Sequence, residues 1–559
     1  MYHGMGARAD RTMLIGTLLL SMPTPSESVR VSQVGYLPDW PKRVVLVAEP
    51  TGPVLVRRVG NGRVVLTLAA GPPRLDPDSG DTLRAVDLTA LRTPGEYVVD
   101  APGLGESLPF RVGKDVLRRP FRLAVRAFTG QRASTAVSLA PDYLQFHHAA
   151  GHTAPANYDP SSGQTGTRDV SGGWYDAGDY GRYVVNSGIT TGTLLWAYEL
   201  YGPKLRKLSL DLPESGGKIP DFLAEVKWNL DWMLKMQDED GGAWHKATTA
   251  QFSGFVRPEE DKAPVLVIGT GKPPYKNTTA TADLAAVAAI AARVYRPFDP
   301  AYAARCLVAA RRAWTWAQAH PDALYTRNPS GIGTGGYGDD DAKDERLWAS
   351  AELLRTTGER PYADAVAALA PGYHLRGDAA QGWPTVGNLG LYTLAFAKRA
   401  DPALVARVRT EAIEAADAIA ARTAANGYGC PLTSKDYIWG SNSVVANYGM
   451  MLLLADRFQP KAAYRVAAQD SLQYLLGLNA FGTSYVTGVG SRAPMHPHHR
   501  ISAADGVETP WPGMLVGGPN AEGRTPPARQ WEDKEANYRV NEIAINWNAP
   551  LVFVLAGVM

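Results

Sequence analysis

Asp176 and Asp179 stand three residues apart in the run Gly172-Gly173-Trp174-Tyr175-Asp176-Ala177-Gly178-Asp179-Tyr180. Two carboxyl groups at that spacing can share a water, orient it and take its proton. The flanking glycines let the backbone turn sharply and approach a ligand closely. The aromatic rings offer flat apolar faces that suit a sugar. A local explanation competes, because an aspartate just ahead of an apolar helical stretch commonly caps it. These residues alone leave chemistry and capping level.

Other constellations carry possible chemistry further along the chain. Glu542, in the run Trp531–Ala549, is expected to begin a helix whose continuation Ala549–Val558 is nearly all apolar. A carboxyl group in such surroundings keeps its proton to higher pH, as a general acid requires. The plain alternative is an acid favoured by the helix dipole. His496, His498 and His499 lie with Arg500 in a proline-interrupted loop without cysteine, which does not suit zinc. Hydrogen bonding to a polyhydroxylated ligand, with Arg500 orienting a carboxylate, suits them better. His147, His148 and His152 read as surface histidines of a loop. The run Asp339-Asp340-Asp341-Ala342-Lys343-Asp344-Glu345 gathers hard oxygen donors, for which calcium is the natural ion, although an acidic helix start accounts for it equally. Gly331–Gly336 imitates a dinucleotide fingerprint by letter but follows no strand.

The elements that must position these residues come in two blocks. From residue 29 to about 115 the sequence predicts short β-branched strands at Val29–Val34, Arg43–Ala48, Val54–Val59, Arg63–Leu68, Leu83–Leu88, Glu96–Asp100 and Leu108–Val112. Such spacing indicates an immunoglobulin-like β-sandwich. From residue 116 to 559 the apolar period becomes helical. Segments start near Val116, Tyr183, Lys218, Thr279, Ala301, Ala342, Pro361, Asn388, Ala403, Ser441, Lys461 and Val540. Twelve helices after a β module suit an (α/α)6 barrel of six helix pairs. The long loops 138–180, 238–278 and 478–539 would build a groove at one end.

Composition narrows the partners. The chain is 45% hydrophobic and 20% charged with a net charge of +2, too little to argue for nucleic acid or an anionic membrane surface. Residues 1–28 have a basic start, the apolar run Met13–Met22 and a polar exit, so they read as a signal peptide of a secreted or periplasmic protein. Cys306 and Cys430 are the only cysteines, and buried free thiols are expected.

Taken together, these motifs resemble family 9 glycoside hydrolases, in which an immunoglobulin-like domain often precedes an (α/α)6 barrel. The likeness begins at Val31–Pro38, continues through 172–179, and includes Gly490–Arg500 and Trp531–Ala549, in the family's order. It implies that Asp179 is the base, that Asp176 shares its water, and that Glu542 is the acid. It further implies that His498, Arg500 and Tyr538 contact sugar, that Trp439 is a stacking platform, and that Trp244 with His245 is another. The activity implied is an inverting endo-β-1,4-glucanase acting on cellulose or mixed-linkage β-glucan, as a monomer. The rivals are an exo-acting glucosidase or glucosaminidase of the same fold, and a non-catalytic carbohydrate-binding protein. Relatives often hold zinc through Cys and His just upstream of the aspartate motif; here Ala133 follows Gln131-Arg132 and residues 131–169 lack cysteine, so that site is not expected. The family's calcium site implies Asp344 and Glu345, with Asp340 and Asp341 nearby, plus a distant aspartate that cannot be placed near Trp383-Pro384-Thr385-Val386.

Overall fold

The computed structural model describes residues 25–559, and the export signal expected over 1–28 lies almost wholly outside the described residues. By Ser26 the chain is already in the sandwich, its N–H donating to the Glu106 carbonyl at 2.6 Å. One sheet orders the strands Val29–Arg30, Arg43–Leu46, Thr82–Asp87 and Arg74–Leu75. The other orders Val64–Leu68, Val54–Arg58, Gly95–Ala101 and Gly105–Glu106, with Phe110–Val112 also pairing Gly95–Ala101. All of the expected strands occur, most with ends shifted by a residue or two. The first is shorter than expected, and Arg74–Leu75 and Gly105–Glu106 are additional short edge strands. Alternation places Val54 and Val56 inside, where they meet Tyr36, Val44, Leu46, Val86, Val99 and Phe110 in one apolar core.

The helical block is a double ring. Val184–Leu205, Thr278–Val294, Lys343–Thr357, Gly387–Phe396, Ser441–Phe458 and Ile545–Val558 form the inner ring, each packed against its neighbours. Tyr392 and Phe396 on Phe458 close the circle between the fourth and fifth of them. Arg118–Gly130, Asp221–Lys235, Pro300–Ala319, Arg360–Leu369, Pro402–Ala425 and Ala462–Leu475 form the outer ring. Each starts within a few residues of its expected position.

The two rings follow from their sequences. Thr278–Val294 is capped by the Asn277 side chain on the Thr279 N–H, is rich in alanine, and buries almost every residue. Pro300–Ala319 buries one stripe only, including Tyr302, Cys306, Ala310, Ala313 and Trp316, as an outer helix should.

Two of the segments expected as loops contain short strands. Thr167–Arg168, Ala156–Tyr158, Leu266–Ile268, Lys246–Thr248 and Arg182–Tyr183 form a five-stranded sheet in that order. Strands of two or three residues leave no alternation to detect. This sheet takes up the chain directly after Asp179 and lays Tyr183 beside Lys246.

Candidate active site

Three distant segments are tied together by backbone pairing. Ala177 bridges Ala544, and the Ile545 N–H donates to the Asp176 carbonyl at 2.9 Å. His498 bridges Glu542, and the Arg500 N–H donates to the Gly178 carbonyl at 3.0 Å. Gly178 is required by this closeness, since a Cβ there would stand 2.1 Å from the His498 carbonyl oxygen. Glu542 does not begin a helix as expected. It is an extended residue (φ −69°, ψ 157°) between the short helix Tyr538–Asn541 and the inner helix Ile545–Val558. Its carbonyl accepts the Gly517 N–H at 2.8 Å, so pairing with a distant segment of the same chain displaces the helix start to Ile545.

The acids brought together here differ sharply in their surroundings. Asp176 is buried, with Oδ1 accepting the Asn186 amide and Oδ2 accepting the Tyr337 hydroxyl, each at 2.5 Å. Burial, with the charge on Asp179 adding to it, pushes its carboxyl up to about 8. Asp179 uses Oδ2 for the Gly181 N–H at 2.9 Å and the Tyr183 hydroxyl at 3.3 Å, and its Oδ1 accepts no hydrogen bond among the described residues. Glu542 is held well above the usual carboxylate range by desolvation and by the charges of Asp179 and Asp176, against the pull of Arg500 and the Gly178 backbone. The arrangement sets an acid whose pKa is raised, Glu542, across the paired backbones from an aspartate with an open oxygen, Asp179.

Several partners of these acids were not singled out from sequence. Tyr337 and Gly335 sit at the end of the glycine run that imitates a dinucleotide loop. The Gly335 N–H donates to the Tyr183 hydroxyl at 3.0 Å, and the Tyr183 and Tyr337 rings lie 4.6 Å apart. Lys246 is fully buried and fastens this strap, its Nζ donating to Asn328 Oδ1 at 2.8 Å, Thr334 Oγ1 at 3.2 Å and the Gly335 carbonyl at 2.7 Å. Desolvation lowers its ammonium to about 7. Tyr337 and Lys246 carry no motif of their own, so only the fold reveals them.

The expected sugar-contacting residues divide. Trp439 and Tyr538 are 48% and 40% exposed with ring centroids 5.3 Å apart, an open aromatic face. His498 lies 5.8 Å from Tyr538 and donates from Nδ1 to the Glu535 carbonyl at 2.7 Å, while its Nε2 has no hydrogen-bond partner among the described residues. Arg500 is buried, and its guanidinium donates to the Gly178 carbonyl at 2.9 Å and the Ser253 carbonyl at 2.8 Å; it steadies the aspartate loop and does not bind a carboxylate side chain as expected. Trp244 and His245 are not a platform, because both are fully buried. Trp244 lies beneath the Arg168 guanidinium at 4.4 Å, and His245 stacks on Tyr325 at 3.7 Å.

Residues 118–555 match the family described as glycosyl hydrolase family 9, and residues 24–106 match the cellulase N-terminal ig-like domain. The chain belongs to glycosyl hydrolase family 9. It is 36% identical over 533 residues to endoglucanase D of Acetivibrio thermocellus, covering 95% of this chain and 83% of that protein. A xyloglucan-specific endo-beta-1,4-glucanase of Bacteroides ovatus is 34% identical, with 94% of this chain and 93% of that one covered. The crystal structure of GH family 9 endoglucanase J30 superposes with a TM-score of 0.87 at 38% identity, covering 93% of this chain and 99% of that one. This family 9 chain is therefore a glycoside hydrolase with the sandwich-plus-barrel architecture. Among its described residues no helix is long and apolar enough to cross a membrane.

In this family 9 hydrolase the aspartate loop is anchored by side chains. Gln131 Nε2 donates to the Ala177 carbonyl at 2.8 Å, and Gln131 Oε1 lies 3.0 Å from His499 Nε2. Arg132 pairs with Glu225 at 3.1 Å, and Glu225 accepts the Trp174 indole N–H at 2.9 Å. His148 and His152 are not surface histidines as expected. His148 is buried against Trp511, and His152 joins the Tyr175 hydroxyl (2.8 Å) to Asp261 (3.1 Å).

The acidic run also rearranges. Asp340 and Asp341 are exposed, with Asp341 engaged by Lys343, so they do not join the pair expected to ligate calcium. Asp344 and Glu345 are buried instead beside Asp283, from the second inner helix, and Asp339. Both oxygens of Asp283, Oε2 of Glu345 and Oδ2 of Asp339 are buried without a hydrogen-bond partner among the described residues. Burial and mutual repulsion push these carboxyl groups up. Hard, unsatisfied oxygens are the donors calcium takes, although no three ligating groups already converge among the described residues. Asp283 was not singled out from the sequence, where its one signal is that of a lone acid in an alanine-rich helix.

Proposed function

We propose that this family 9 hydrolase is an endo-acting β-1,4-glucanase that inverts configuration in a single displacement. The observation that carries the reading is the asymmetry of the acids: Asp176 is held on both oxygens, Asp179 has Oδ1 open, and Glu542 lies across the paired backbones with its pKa raised. Asp179 takes a proton from water as the water oxygen bonds to the anomeric carbon. The glycosidic C–O bond breaks, its electron pair stays on the departing oxygen, and that oxygen takes the proton held by Glu542. Asp176 steadies the same water, and Tyr337 and Asn186 steady Asp176. His498 Nε2 and the faces of Trp439 and Tyr538 hold sugar units, and their exposure suits a continuous chain threaded across an open groove. The similarity to endoglucanases supports the endo mode, and the basic start and apolar run Met13–Met22 support an exported protein.

Proton NMR of the first products should show the new reducing end as the α-anomer, with viscosity falling faster than reducing ends accumulate. A β-configured first product would refute inversion, and viscosity loss in step with reducing ends would refute the endo mode.

Calcium is proposed at Asp344 and Glu345 with Asp283 and Asp339. Bound there, it would neutralise buried like charges and fix the start of helix Lys343–Thr357. A calcium chelator is expected to lower the melting temperature by roughly 5 °C, and readdition of calcium to restore it. An unchanged melt would assign the cluster's neutralisation to protons.

A further inference from the structure

The loop that follows Lys246–Thr248 carries two phenylalanines that apolar packing does not explain. Phe252 is 49% exposed and Phe255 is 40% exposed. Exposed rings on a slack loop would signify little, but the backbone here is fastened to the acid segment. The Tyr180 hydroxyl donates to the Val256 carbonyl at 2.5 Å, and Arg500 Nε donates to the Ser253 carbonyl at 2.8 Å. Ser253 is also held to Asp261, whose carboxylate meets His152 at 3.1 Å. The loop is therefore built, and its rings are presented at a fixed place.

That place continues the aromatic face already described. Phe255 meets His498 edge to face with centroids 5.2 Å apart, and His498 in turn meets Tyr538, which meets Trp439. The Arg500 guanidinium lies 5.4 Å from the Phe255 centroid and 5.6 Å from that of Phe252, bracing both. A row of rings thus runs from Trp439 past Glu542's backbone partner His498 to Phe255 and Phe252. A pyranose presents axial C–H bonds on its flat faces, and such faces settle on exposed aromatic rings. Holding rigid apolar rings in water is unfavourable in the free protein and is relieved when a ligand covers them.

We infer that Phe252 and Phe255 form a further glucosyl-binding subsite at the end of this row of rings away from Trp439, one that engages only chains long enough to pass His498. This rests on the proposed glucanase reading and deepens it, by assigning the loop to recognition of substrate length.

The test uses the full chain with Phe252→Ala/Phe255→Ala, Phe255→Leu and Phe255→Trp, each checked for an unchanged melting temperature. The double variant is expected to lower kcat/KM for cellohexaose roughly tenfold, mostly through KM, and to change an aryl cellobioside by less than about twofold. Phe255→Trp should retain hexaose activity, whereas Phe255→Leu, apolar but without a ring face, should not. Equal losses on both substrates, no loss on cellohexaose, or full activity in the Leu variant would overturn the subsite. Calorimetric binding of cellohexaose to the same variants, made in a Glu542→Gln background, separates this inference from the catalytic reading. Weaker hexaose binding in the double variant supports the subsite even if the wild type fails to hydrolyse the glucan. Unchanged binding overturns it even if hydrolysis is confirmed.

Discussion

Asp179→Asn is expected to keep the fold and to lower kcat on β-1,4-glucan by roughly 10³-fold. The amide oxygen can still accept the Gly181 N–H and the Tyr183 hydroxyl, which Asp179 holds at 2.9 and 3.3 Å, so the loop has no reason to move. What disappears is the basic oxygen that faces water. Asp176 is a poor substitute because its oxygens already serve the Asn186 amide and the Tyr337 hydroxyl, and burial, which the substitution leaves in place, still pushes its carboxyl up. Steady-state rates on barley β-glucan or carboxymethylcellulose, paired with a thermal melt, provide the check. A variant within tenfold of wild type would transfer the base to Asp176.

How much of this was legible beforehand depended on the length of the signal. Helices of ten residues or more repeat their apolar period often enough to be found, so all twelve long helices were placed near their true starts. The Asp176–Asp179 pair stands out in the sequence because glycines and aromatics mark its surroundings, and Glu542 because a nearly all-apolar stretch follows it. The role of Glu542's backbone was misread, because a residue ahead of an apolar helix looks like its first turn until a partner strand claims it. Trp244 and His245 show the converse. An aromatic next to a histidine suits a sugar platform by type, yet nothing in the local sequence told that Arg168 and Lys276 would cover Trp244. Tyr337, Lys246 and Asp283 meet their partners only through long-range closure of the barrel, and local patterns do not encode such contacts.

Glu542→Gln should separate proton donation from the rest of the mechanism. Its activity on polymeric β-1,4-glucan is expected to fall roughly 10³-fold, since a sugar alkoxide leaves poorly without a proton. A dinitrophenyl cellobioside releases a stable phenolate and should lose far less, within about tenfold of wild type. The pH profile carries the sharper information. In the wild type burial and the charges of Asp179 and Asp176 hold the Glu542 carboxyl well above the usual carboxylate range, so activity on polymer should decline as rising pH removes its proton. In the variant assayed with the activated substrate that alkaline decline should vanish, because no proton is required. If the decline instead persists, it belongs to Asp176, whose carboxyl burial and Asp179 push up to about 8, and the steadying of the water would then depend on that proton. Equal losses on polymer and activated substrate would remove Glu542 from the acid role, since only a group that protonates the leaving oxygen discriminates between leaving groups.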